Sequence, residues 1–234
     1  MSYTRTLTRR PAQNGRHSVW LIAAEFRIIR SSMSTSRSSA TLSPGGRSAT
    51  AYLRAEIAAL SPYVPGRQPT ERIVKLNANE NPYPPAPGVM VALQALDTEG
   101  LRLYPDATAQ RVRETAAEVY GVAPDEVIVG NGSDEILTMI VRVFLAAGDR
   151  ISVVDPTYTL YEILAAMQGA RTDRYPLDDE YRLTSAFMTA HARVTFLPNP
   201  NAQTGTLFTA DALNALCAQR DGVGIAVHRD QAGA

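Results

Sequence analysis

Residues able to hold an anion come together in Gly130-Asn-Gly-Ser-Asp-Glu135, directly after the apolar β-branched run Val127, Ile128 and Val129. Such a run suits a strand buried on both faces, and the two glycines let the backbone turn without a Cβ penalty. Ser133 is a favourable N-cap, and Asp134 and Glu135 fall in the first turn of a helix, where the dipole favours negative charge. Ile136, Leu137, Ile140, Val141 and Phe144 continue an apolar helical stripe toward Gly148, a residue suited to the C′ position. A helix N-terminus at the carboxyl end of a strand presents backbone N–H groups to a phosphate. An ordinary strand-to-helix turn has the same local pattern, so the phosphate reading depends on what the other loops contribute.

Two counts restrict the chemistry. Of 23 basic residues all but one are arginine, so chemistry that needs a lysine has only Lys75 within this sequence. The single cysteine, Cys217, allows neither an intrachain disulfide nor a thiolate cluster; in its helical stretch it reads as a small buried hydrophobe, and a reducing cytoplasm is the default compartment. An apolar content of 45% with mean hydropathy −0.14 is that of an ordinary globular chain. Charge is unevenly spread. Residues 1–50 hold eight arginines and one acid, Glu25, which leaves the remainder mildly acidic and without a nucleic-acid-binding character.

The elements that must position these residues alternate along the chain. Residues 1–50 are an Arg/Ser/Thr-rich, disordered basic tail by composition, with Met33 as an alternative start; the run Val19-Trp-Leu-Ile-Ala-Ala24 is too short for a membrane span. Residues 51–87 read as a helix with Leu53, Ile57 and Leu60 on one face, followed by a proline-punctuated arm that holds Lys75 and Asn77-Ala-Asn-Glu-Asn81. Residues 88–234 read as a partial large domain: helices over 88–96 and 108–120, the latter with Val112, Ala116, Val119 and Tyr120 inward and Gly121 ending it; the strand and helix already described; a strand over 151–154; a helix over 159–168; a strand over 193–197; a helix capped by Thr209 with Leu213 and Leu216 inward; and a strand beginning near 223. Strands alternating with helices at this spacing predict an α/β fold, a mostly parallel sheet in three layers with helices on both faces.

Taken in order, Leu60-Ser-Pro-Tyr-Val-Pro-Gly66, Lys75-Leu-Asn-Ala-Asn-Glu-Asn-Pro82, Leu103-Tyr-Pro-Asp106, Gly130-Asn-Gly-Ser-Asp-Glu135, Pro156-Thr-Tyr158 and Pro200-Asn-Ala-Gln-Thr-Gly205 resemble the class I/II aminotransferases that use pyridoxal 5'-phosphate, the histidinol-phosphate branch in particular. Threonine-phosphate decarboxylase shares most of these motifs. The resemblance implies the fold type I of pyridoxal-phosphate transferases, with an incomplete large domain. It implies amino transfer from glutamate to imidazole-acetol phosphate in histidine biosynthesis, hence a small-molecule amino donor and a phosphorylated keto substrate. It further implies a cytoplasmic homodimer with no nucleic acid or membrane as partner.

The resemblance also implies roles for single residues. Ser133, Asp134 and Glu135 would hold the cofactor phosphate, Tyr158 would stack on its ring, and Tyr104 would reach the phosphate of the neighbouring subunit. Asn77 and Asn79 would line the substrate side. In the last loop, Ala202 and Gln203 stand where the family has Asn-Pro, so Asn201, one position earlier, is expected to take the contact to the ring hydroxyl. Family members carry an acid facing the pyridinium nitrogen in an Asp-Glu-Ala-Tyr stretch, and a lysine that takes the cofactor covalently lies further on. Here the corresponding strand runs into Ala226-Val-His-Arg-Asp-Gln-Ala-Gly-Ala234. Asp230 is then the candidate ring-nitrogen partner, and His228 is expected to be a tail residue with no ligand role. Lys75 matches no catalytic position, so no catalytic residue is assigned. The expectation is a chain truncated or frame-shifted near residues 222–228 and inactive for lack of that lysine. The alternative is a non-catalytic fragment that binds a phosphate or a partner.

Overall fold

The computed structural model describes residues 52–60, 70, 71, 73, 74, 81, 83–220 and 224–228. The predicted basic tail, Lys75, Asn77, Asn79 and Asp230 lie outside the described residues. Four strands form one parallel sheet in the order β2-β1-β3-β4: β1 (Arg150–Asp155), β2 (Arg171–Pro176), β3 (Val194–Pro198) and β4 (Gly224–His228). Ile151 of β1 pairs with Thr172 of β2 and Val194 of β3, and Val194 in turn pairs with Gly224 of β4. The central pair reads as continuous apolar sequence because both of its faces are covered.

The two faces divide by the period of two along each strand. Ile151, Val153, Val194 and Phe196 meet Leu137 and Val141 of α5 (Gly132–Phe144) and Tyr161, Leu164 and Ala165 of α6 (Leu160–Met167). Val154 and Leu197 meet Phe187 of α7 (Ser185–Met188) and Leu216 of α8 (Ala210–Gln219) on the opposite face. Helix, sheet and helix thus make the three layers expected of this sequence. On the second face Ser152 and Thr195 put two hydroxyls 2.7 Å apart among the apolar side chains, and the buried guanidinium of Arg220 closes over them.

Several local expectations are corrected. Residues 127–129 are extended without forming a strand: Val127 is buried, Ile128 is 42% exposed, and no described strand lies beside them to complete a ladder. Arg113 takes the carbonyls of Pro124 and Val127 at 2.7 and 2.9 Å instead. Ser133 is not the N-cap of α5; Asn131 precedes the helix, and Ser133 sits inside its first turn. The helix ends at Phe144, with Leu145 extended, and Gly148 (φ +89°) belongs to the following turn, where its N–H donates to the Gly169 carbonyl at 2.8 Å. On α4 (Gln110–Tyr120) only Ala117 is buried, and Val112, Val119 and Tyr120 are exposed. Cys217 is exposed on α8, because Leu216 takes the inward position there. Strand β2 and helix α7 are additions to the expected elements. The first helix, α1, is confined to Ala55–Ala58, while α2 (Pro87–Gln94) and a short α3 (Thr98–Leu101) follow the arm. No described helix is long and apolar enough to cross a membrane.

Asp106 enters α4 from the Leu103-Tyr-Pro-Asp106 turn. Its carboxylate accepts from the Thr108 N–H at 3.0 Å and the Gln110 N–H at 2.6 Å. These bonds, that from Thr108 foremost, hold its carboxyl below the usual carboxylate range. A depressed folded value contributes stability that is complete above the unfolded value of about 4 and is lost as pH falls through the folded one. The urea midpoint is therefore expected to fall as pH drops below about 5, and more shallowly in Asp106→Asn. Equal pH slopes for the two proteins would remove Asp106 from this account.

Candidate functional site

Because every strand is parallel, the carboxyl ends of β1, β3 and β4 lie on one rim of the sheet, and the loops that leave it carry the candidate residues. Helix α5 opens beside this rim. Gly130 lets the turn pack closely there: a Cβ would stand 2.8 Å from Ile136 Cδ1 and 3.1 Å from Glu135 Oε2, so the ends of those two side chains would have to move. The Glu135 carboxylate reaches back to accept the Asn131 N–H at 2.5 Å, which secures the turn. The Asn131 side chain does not cap the helix, so the first-turn N–H groups of Ser133 and Asp134, which by helix geometry have no acceptor within it, point out at the amino end.

The loop leaving β1 comes to meet that end. Tyr158 donates its hydroxyl to Asp134 Oδ1 at 3.1 Å. Thr157, 5% exposed, has its hydroxyl buried with no hydrogen-bond partner among the described residues. An orphaned hydroxyl is a cost that an acceptor would remove, and it belongs to the loop whose next residue, Tyr158, touches the first turn of α5.

The loop leaving β3 is bound to the loop leaving β1. Asn201 is fully buried; its Nδ2 donates to the Pro156 carbonyl at 2.9 Å and its Oδ1 accepts the Gln203 N–H at 3.0 Å. Asn199 bonds both backbone groups of Phe208 through its side chain, and its own N–H donates to the His228 carbonyl at 2.7 Å. The peptide bonds before Pro156 and Pro200 are both cis.

Aromatic rings fill the space between. Tyr161, fully buried on α6, stacks on Phe196 with centroids 4.9 Å apart and planes 10° apart. Its hydroxyl lies 2.7 Å from His228 Nδ1. Tyr158 meets Tyr161 edge-on at 5.6 Å and His228 at 5.5 Å with a 40° tilt. His228 thus sits inside the rim cluster and is no loose tail residue.

Of the candidates from sequence, Ser133, Asp134, Glu135, Tyr158 and Asn201 are brought to one rim. Tyr104 stands apart, fully exposed on the turn before α4. Sequence reasoning passed over Thr157 and Tyr161 and set His228 aside as a tail residue. A tyrosine within an apolar helix looks like core until its hydroxyl has a destination.

The family profile described as aminotransferase class I and II matches residues 71–227. The histidinol-phosphate aminotransferase of Geotalea uraniireducens is 42% identical over 173 residues, covering 73% of this chain and 50% of that protein. The enzyme of the same name from Chromohalobacter salexigens is 44% identical over 158 residues, covering 67% and 45%. The chain spans about half the length of the curated relatives it matches. Among solved structures, histidinol-phosphate aminotransferase from Sinorhizobium meliloti in complex with pyridoxal-5'-phosphate superposes with a TM-score of 0.66 at 24% identity, covering 76% of this chain and 50% of that one. An aminotransferase described as putative from Burkholderia pseudomallei gives 0.54 at 27% identity, covering 64% and 45%.

Proposed function

The chain belongs to the class I and II aminotransferase family, and from that premise we propose that it is the cofactor-phosphate-binding portion of a pyridoxal-phosphate enzyme of the histidinol-phosphate aminotransferase type. The observation that carries this reading is the convergence of the uncapped α5 N-terminus, the buried orphan hydroxyl of Thr157 and the ring of Tyr158 on one rim. Relatives at 42–44% identity bearing that enzyme name support the choice of branch.

In this reading the N–H groups of Ser133 and Asp134 bind the phosphate, charge-assisted by the helix dipole. Tyr158, fixed by Asp134, lies against the ring and excludes water from one side of it. Asn201 holds the two rim loops at a set separation and is the residue nearest in sequence to the family's ring-hydroxyl contact. Asn77 and Asn79 line the substrate side, and Asp230 is the acid toward the ring nitrogen. Pyridoxal phosphate, when bound, supplies the electron sink for moving an amino group. The reaction would be transfer from glutamate to imidazole-acetol phosphate, in a cytoplasmic homodimer whose exposed Tyr104 reaches the partner's phosphate.

One observation favours a second reading in which this chain binds the cofactor without carrying it covalently: its one lysine, Lys75, falls in the segment matching the N-terminal arm. Titration with pyridoxal phosphate followed by borohydride reduction and mass measurement tests both. Saturable binding that inorganic phosphate competes away is the expected result. A stoichiometric lysine adduct supports covalent carriage, and unreduced release supports the second reading. Absence of competition by phosphate would remove the proposed anchor at α5.

A further inference from the structure

The rim holds more aromatic surface than a phosphate needs. Phe196, Tyr161, Tyr158 and His228 form a continuous set of rings that runs from the sheet to the N-terminus of α5, and the rings of Tyr158 and His228 are also fixed by hydrogen bonds. Tyr161 is fully buried and stacked on Phe196. His228 is held at both ends: its carbonyl accepts the Asn199 N–H, and its Nδ1 lies at hydrogen-bond distance from the Tyr161 hydroxyl. Tyr158 is held by Asp134 in the first turn of α5. The set is preorganised, so a flat ligand binding there orders few side chains, which lowers the cost of binding.

Resting on the proposed function, we propose that His228 forms part of the seat for the cofactor ring, its imidazole serving as the aromatic wall next to Tyr158. The ligand class this selects is a planar heteroaromatic ring carrying a phosphate arm. The arm goes to α5, and the ring goes to the surface where Tyr158 and His228 stand 5.5 Å apart and 40° from parallel. His228 terminates β4, so its backbone is set by the sheet register to Pro198 and its place on the rim does not depend on a loop.

The test compares pyridoxal phosphate with inorganic phosphate on the full chain, by equilibrium dialysis and by the induced circular dichroism of the cofactor's visible band. His228→Ala is expected to weaken pyridoxal phosphate about tenfold and to leave inorganic phosphate unchanged. His228→Phe keeps a ring and loses the bond to Tyr161; it should stay within about threefold of the parent. His228→Asn keeps a hydrogen-bonding group at that place without the ring; it should behave as alanine does. Unchanged phosphate binding certifies that each variant has kept its rim. Wild-type affinity in His228→Ala, or rescue by asparagine but not by phenylalanine, would overturn the aromatic wall while leaving the cofactor reading intact. A parent chain that binds pyridoxal phosphate no better than inorganic phosphate would overturn both.

Discussion

Arg220→Met is expected to lower the unfolding free energy by about 2–4 kcal/mol, seen as a drop in the urea midpoint with little change in slope. Arg220 follows α8 and is 5% exposed. Among the described residues its guanidinium has only neutral partners: Nε donates to the Met188 carbonyl at 3.0 Å, one terminal nitrogen to Thr195 Oγ1 at 3.0 Å, and the other to the Phe187 carbonyl. The carbon of the group lies 5.3 Å from the centroid of the Phe187 ring. Burial pushes its pKa down, since a charge removed from water has lost its hydration. The charge itself therefore contributes little. What the residue contributes is donors to two carbonyls at the end of α7: an apolar side chain would leave the Met188 carbonyl without its guanidinium partner, at about 1–3 kcal/mol, and the Phe187 carbonyl with backbone N–H partners alone, that of Ala190 at 3.3 Å. Methionine keeps most of the volume and none of the donors, so it isolates that effect. Lysine would keep the charge and lose the planar fork, and should also destabilise. A methionine variant as stable as the parent would mean that desolvating the cation costs as much as its hydrogen bonds return.

Asn201→Ala should cost about 2–4 kcal/mol and weaken phosphate binding as well, because both effects pass through one side chain. Its amide is the link between the loop leaving β3 and the loop that carries Thr157 and Tyr158. Without it the Pro156 carbonyl and the Gln203 N–H lose their partners, and the Thr157–Tyr158 pair is no longer held toward α5. Hydrogen exchange should accelerate through residues 155–159 and 199–206 while the core of β1 and β3 stays protected. Asn201→Asp is the sharper control. It keeps an acceptor for Gln203 and turns the donor toward Pro156 into a second acceptor, so it should be at least as damaging as alanine. An aspartate variant that exchanges like the parent would show that the loops are positioned by the backbone bonds between Asn201 and Thr206 alone.

The parts of the fold legible in the sequence are those where burial acts on both faces of an element. β1 and β3 are apolar because helices cover both faces, and α5 shows its stripe because it lies along the sheet. β2 was illegible for the opposite reason. Among the described residues it is an edge strand, Arg171-Thr-Asp-Arg-Tyr-Pro176, whose pairing is supported by Arg150 bonding Asp173 across the strands and by Arg174 bonding Glu162 of α6 at 2.5 and 2.6 Å. Residues 127–129 erred the other way: strand-forming side chains dictate extension, while a ladder also needs a neighbour. At the site, the loop motifs pointed to Ser133, Asp134, Glu135 and Tyr158, and the structure brings these four to one rim, because a strand-to-helix turn is written in adjacent residues while the N-cap itself fell two residues earlier, at Asn131. The roles of Tyr161, His228 and Asn201 depend on contacts 67, 67 and 45 residues away in sequence, which no local pattern encodes.

The composition of β2 bears on how this protein tolerates being concentrated. A free strand edge invites another chain to extend the sheet, and apolar edges are where fibrils and amorphous precipitates begin. Here an incoming strand would meet Arg171 and Arg174 exposed, would have to strip water from ion pairs already formed, and would find no N–H at Pro176. That side of the sheet is guarded against polymerisation by the same arginines that made it unreadable as a strand.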